Sequence, residues 1–158
     1  MTRALRRLGA VTFFIGFSLT GLASFAQTIV EGEVQTAVDA LWDAASNRDT
    51  DNSFGVSVPN DDGFYVLDGQ VIWTRQATLE MYDELFESAS RNDIEMTEER
   101  ITLLVDYLAL NVGVATYDMA DMSGASLGNG DMALTLLLKK VDERWQLLHL
   151  HQSFPAAE

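Results

Sequence analysis

From about Ile94 to the C-terminus the chain reads as one strand after another, and this run constrains the fold more than any other feature. The segments "ITLLV", "LALNVGVATYDM", "MALTLLLKKV" and "WQLLHLHQS" carry the apolar, strand-forming pattern. A turn near Asp106, a loop "SGASLGNGD" and a turn at Asp142-Glu143 separate them. Consecutive strands joined this way form an antiparallel meander. A meander of this length must bury one face, and the cover has to come from the first half of the chain.

That half supplies two helices and a hairpin. In "EVQTAVDALWDAASNRD" the apolar residues Val34, Ala37, Val38, Leu41, Trp42 and Ala45 fall on one helical face. Asp49, Thr50, Asp51 and Asn52 end that helix, and "FGVSVPNDDG" reads as an irregular connection or a short extra helix. "FYVLDGQVIW" is two short strands across an Asp68-Gly69 turn. Thr74 can cap a second long helix whose buried stripe is Met81, Tyr82, Leu85, Phe86 and Ala89. Helix, hairpin, helix and meander make an α+β fold, with helices packed on one face of a curved antiparallel sheet.

The first residues stand apart from this pattern. Arg3, Arg6 and Arg7 precede the apolar run from Leu8 to Leu22, and "ASFA" ends in the small residues Ser24 and Ala26. This is the layout of a secretory signal peptide over residues 1–26, leaving one domain at 27–158 that is periplasmic or secreted and free of the membrane after cleavage. The run is short and broken by Gly16 and Gly21, which argues against a permanent anchor.

Three of the 10 basic residues lie in that leader and no acidic residue does, so the remainder sets 7 basic against 24 acidic residues, a formal charge of −17. Such a surface repels phosphate backbones, and nucleic acid is excluded as a partner. The absence of cysteine removes a thiol nucleophile and a zinc–thiolate site. The "SGASLGNGD" loop lacks the lysine and the strand–helix context of a phosphate loop and reads as a hairpin connection.

The only histidines, His149 and His151, are two apart on the last strand and so share a face. With a two- or four-residue turn at Asp142-Glu143, Lys140 lies opposite Trp145, Leu138 opposite Leu147, Leu136 opposite His149 and Leu134 opposite His151. The face carrying Leu134, Leu136, Leu138, Trp145, Leu147 and both imidazoles is the more apolar, so both are expected to point inward. A one-residue bulge would reverse that orientation. Facing inward, the pair could pack as satisfied core histidines, line a ligand pocket or ligate a metal. Metal is the weakest of the three, because no Asp or Glu is held beside them by spacing. Trp42 and Trp73 read as core or pocket wall. Tyr117 and Asp118 alternate, so only one can face inward, and Tyr117 is the expected one.

The stretch from Leu136 to Pro155, with Trp145, His149, His151 and Ser153 in a Trp-x-x-x-His-x-His-x-Ser pattern, resembles the nuclear transport factor 2-like superfamily, and its SnoaL-like domains most. The segment Val38 to Asp51 looks like that family's first helix and acidic break, and the resemblance covers about residues 31–156. It implies a cone, a curved antiparallel sheet wrapped around N-terminal helices, with a pocket at the open end and dimerisation through the outer sheet face. Members include isomerases, cyclases, dehydratases and a kinase association domain, so the fold locates a pocket without naming its chemistry. Enzymes of the family use an Asp or His base with Tyr or acid donors, for which this chain offers His149, His151, Asp118, Tyr65, Tyr82 and Tyr117. The expectation is an exported domain that binds a small, partly apolar molecule through Trp42, Tyr65, Tyr82, Tyr117, His149 and His151. No cofactor or metal is expected. An isomerase, cyclase or dehydratase with His149 or His151 as base is the alternative, and a dimeric interaction module with a vestigial pocket is the third reading.

Overall fold

The computed structural model describes residues 20–59 and 64–155, with side chains described from residue 27. Most of the expected leader therefore lies outside the described residues. Among the described residues no helix is long and apolar enough to cross a membrane.

Helix α1 spans Thr20–Ser46 and buries the anticipated stripe of Val34, Val38, Leu41, Trp42 and Ala45. It stops where Arg48 takes a left-handed conformation (φ 60°) and the Arg48 and Asp49 amides bond back to the Ala45 and Ala44 carbonyls. The following segment is irregular. Strands β1 (Tyr65–Leu67) and β2 (Gln70–Ile72) form the expected hairpin, with positive φ at both Asp68 and Gly69. Helix α2 spans Arg75–Ser88, and the Thr74 side chain accepts from the Ala77 amide as its N-cap. Tyr82 and Phe86 are buried on it, while Met81 and Leu85 are half-buried.

The chain then enters β3 (Ala89–Val105), β4 (Leu108–Asp121), β5 (Ser126–Val141) and β6 (Arg144–Ser153). The sheet runs β2-β1-β6-β5-β4-β3, antiparallel except where β1 lies parallel to β6. The helices cover its concave face, and the core lies between, with Phe54, Phe64, Tyr65, Leu136 and Leu150 almost wholly buried. The long edge strand β3 carries Arg91, Asp93, Glu95, Glu98 and Arg100 and shifts register between Met96 and Glu98, which guards it against pairing with another chain. That shift also turns Glu99 toward α1, where its carboxylate accepts from Gln35 (2.5 Å) and Asn111 (2.9 Å).

The last hairpin departs from expectation at one residue. Its turn has two residues, and Asp142 and Glu143 both take positive φ. Lys140 pairs with Trp145 and Leu138 with Leu147, as the pattern requires. Leu148 is then an extra residue, so Leu137 faces His149, Leu136 faces Leu150, Thr135 faces His151 and Leu134 faces Gln152. Past this bulge the strand is inverted: Leu150 and Gln152 point inward, and His149 and His151 point outward.

The cause lies on the other edge of β6. Leu147 is held by the irregular segment, through Val58 N–H to Leu147 C=O (2.8 Å) and Leu147 N–H to Val56 C=O (3.4 Å). Leu150 to Gln152 are held by β1. The extra residue falls between these two partners. Inversion also places a leucine, rather than an imidazole needing hydrogen-bond partners, in the core.

Candidate functional site

The concave face and the two helices enclose a cavity of about 290 Å³. Trp42 and Ala45 of α1 form one wall, and Met81, Tyr82, Leu85 and Phe86 of α2 form another. The sheet contributes Asn92 and Ile94 from β3, Tyr117 and Met119 from β4, Leu127 and Met132 from β5, and Gln152 from β6. Leu67, Phe54 and Phe154 complete the lining. The volume suits a small organic molecule, and the three methionines make the wall deformable.

Aromatic packing sets its shape. Phe54 stacks on Tyr82 with centroids 3.8 Å apart, and Tyr117 meets Phe154 edge-on at 5.0 Å. The Tyr117 ring lies over Gly128, where a Cβ would come within 3.2 Å of it, so a glycine there makes room for the ring.

The polar groups are few and buried. Tyr65 Oη lies 2.6 Å from Gln152 Oε1 and 2.9 Å from Tyr82 Oη. Tyr65 has one proton and gives it to the Gln152 carbonyl, so Tyr82 is the donor between the phenols. Gln152 Nε2 lies 2.9 Å from Met132 Sδ. Asn92 Nδ2 donates to the Ala45 carbonyl (2.8 Å), which also accepts from the Arg48 amide at the end of α1. Burial pushes Tyr82 up to about 12, and burial, then the neighbouring Tyr82, drive Tyr65 well above the ordinary phenol range. No carboxylate, imidazole or amine lies among the described residues lining the cavity.

Of the residues anticipated from sequence, Trp42, Tyr82 and Tyr117 line the cavity. Tyr65 is fully buried behind it and reaches it through Gln152. His149 and His151 are not brought to it: the inward orientation expected for them is overturned by the Leu148 bulge. Asp118 is on the outer face, paired with Arg91 at 2.7 Å, and Tyr117 points inward as expected. Trp73, expected in the core or the pocket wall, is instead 63% exposed at the end of the hairpin. The residue that sequence reasoning missed is Gln152, whose inward orientation depends on the bulge. Leu147-Leu148 carries no local bulge signal.

His151 lines a second concavity of about 600 Å³ on the outer face, with Arg100, Val112, Thr135 and Ser153. Arg100, Val112, Thr135 and His151 form one cross-strand row. This larger space lies on the outer face of the sheet, whereas the inner cavity lies between the two helices and the sheet, is lined mainly by apolar and aromatic side chains, and has the character of a ligand site. Among the described residues no group of three or more His, Asp or Glu could hold a metal ion.

Comparison with known proteins agrees with this architecture. A nuclear transport factor 2-like superfamily protein from Salmonella enterica superposes with a TM-score of 0.72 at 12% identity, covering 83% of this chain and 94% of that one. A cystatin-like-fold protein from Caulobacter vibrioides gives 0.65 at 16% identity, over 78% and 87% of the two chains. An NTF2-like protein of unknown function from Pseudomonas putida gives 0.64 at 19%, over 81% and 88%. These likenesses establish the fold alone. No curated protein matches the chain. The family model of the SnoaL-like domain matches residues 34–157, from the first buried valine of α1 to beyond β6, and the chain belongs to that family.

Proposed function

We infer that this is an exported domain that binds a small, partly apolar molecule in the cavity between its helices and its sheet. One observation carries this reading: the cavity is apolar, has a few buried polar groups, and among the described residues of its lining no side chain titrates near neutral pH. General acid–base catalysis at pH 7 needs such a group within reach of the substrate. With both imidazoles across the sheet, neither serves as the base there, which favours binding over isomerisation or dehydration.

The basic and apolar leader supports export. The outer face supports self-association. Val112 and Val114 are 46% and 40% exposed in the middle of β4, and a second copy placed there would cover them.

The test is uptake of naphthalene-sized probes measured by calorimetry in the wild type and in Leu85→Trp, which fills the cavity from α2. Uptake by the wild type and at least a tenfold loss in the folded variant is the expected result. Equal uptake by both proteins contradicts the reading.

A further inference from the structure

Gln152 is 7% exposed, lines the cavity, and has its two ends committed unequally. Its carbonyl oxygen accepts from Tyr65 at 2.6 Å and lies 3.3 Å from Tyr82 Oη. Its amide nitrogen, which carries two N–H donors, meets among the described residues only the Met132 thioether, a weak acceptor. The reverse amide orientation is worse, because it would set the carbonyl oxygen against the sulfur lone pairs and force Tyr65 to accept. The phenols therefore fix which end of the amide faces the cavity. The chain Tyr82 to Tyr65 to Gln152 also polarises the amide, since hydrogen bonds in series strengthen one another.

We propose that the Gln152 amide is the polar anchor of the cavity, and that the site selects uncharged molecules bearing a carbonyl-type hydrogen-bond acceptor on an apolar, ring-sized body. The inference rests on the cavity being a binding site. A ketone or amide oxygen gives the under-used N–H a full partner. A carboxylate would lose its hydration with no cation in the described lining to replace it. A pure hydrocarbon would fill the space but leave the donor facing the thioether.

Three naphthalene probes of similar size separate these cases by calorimetry: 2-acetonaphthone, 2-ethylnaphthalene and 2-naphthoate. The ketone is expected to bind about tenfold more tightly than the hydrocarbon, the effect of one good buried hydrogen bond. The carboxylate is expected to bind more weakly than either. Gln152→Met should erase the preference for the ketone while retaining hydrocarbon binding. Should that variant not fold, the side-chain amide resonances of Gln152 in the wild type provide the second reading, and should move with the ketone and not with the hydrocarbon. Equal binding of ketone and hydrocarbon, or tight binding of 2-naphthoate, overturns the anchor role but leaves the cavity as a binding site. Absence of binding by all three overturns both.

Discussion

The two halves of β6 obey different rules. From Trp145 to Leu147 the strand follows the alternation set by its turn, with Trp145 and Leu147 in the core. From His149 to Ser153 the same strand is turned over, with Leu150 and Gln152 inside and His151 in solvent. Hairpin geometry accounts for the first half. The second half is governed by β1, which is distant in sequence and clamps the opposite edge. A strand with two partners takes a bulge where their demands do not meet, and here that single residue decides which side chains see the cavity.

The contrast can be broken most severely at Leu150, which faces the core only because Leu148 is left out of the pairing. Leu150→Ala should cost about 3 kcal/mol by urea denaturation, because Leu150 is fully buried. Gly128→Val should cost about 2 kcal/mol, as its side chain pushes against Tyr117, and should shrink the cavity enough to weaken uptake of the naphthalene probes. His151→Ala should change stability by less than about 0.5 kcal/mol, since the side chain is exposed. A cost near that of Leu150→Ala would place the imidazole inside after all.

Alkaline pH offers a gentler probe of the inner face. Tyr82 is raised from 10 to about 12 in the folded protein, so between these values the unfolded chain has lost a proton that the native chain keeps. Stability attributable to this group is therefore complete below pH 10 and declines as pH rises through about 12. Tyr65, also raised, adds to the same decline. Denaturation midpoints measured from pH 8 to pH 12 should therefore be flat at first and then fall, and Tyr82→Phe should lessen the fall without removing it.

The order of elements was legible in the chain because each had a local cause. The α1 stripe, the Thr74 cap, the Asp68-Gly69 turn and the two-residue turn at Asp142-Glu143 all behave as their residues dictate. The aromatic half of the site was legible for the same reason, since Trp42 and Tyr82 lie on helical stripes and Tyr117 on a strand face. Its polar half was not. Gln152 faces inward only because segments some 90 residues earlier hold β6 at two separate points, and neither Leu147 nor Leu148 encodes that. Two histidines at strand spacing were the most conspicuous feature of the tail. Their neighbour, with no reactive group, occupies the position they were expected to hold.

The most direct test follows the protein by NMR as 2-acetonaphthone is added, observing the Trp42 indole, the Gln152 side-chain amide and the imidazole of His151 together. The first two are expected to move and saturate with one binding curve while the His151 imidazole stays in place. Movement of the His151 imidazole with the Trp42 and Gln152 signals unchanged would contradict this, and would put the binding site on the outer face.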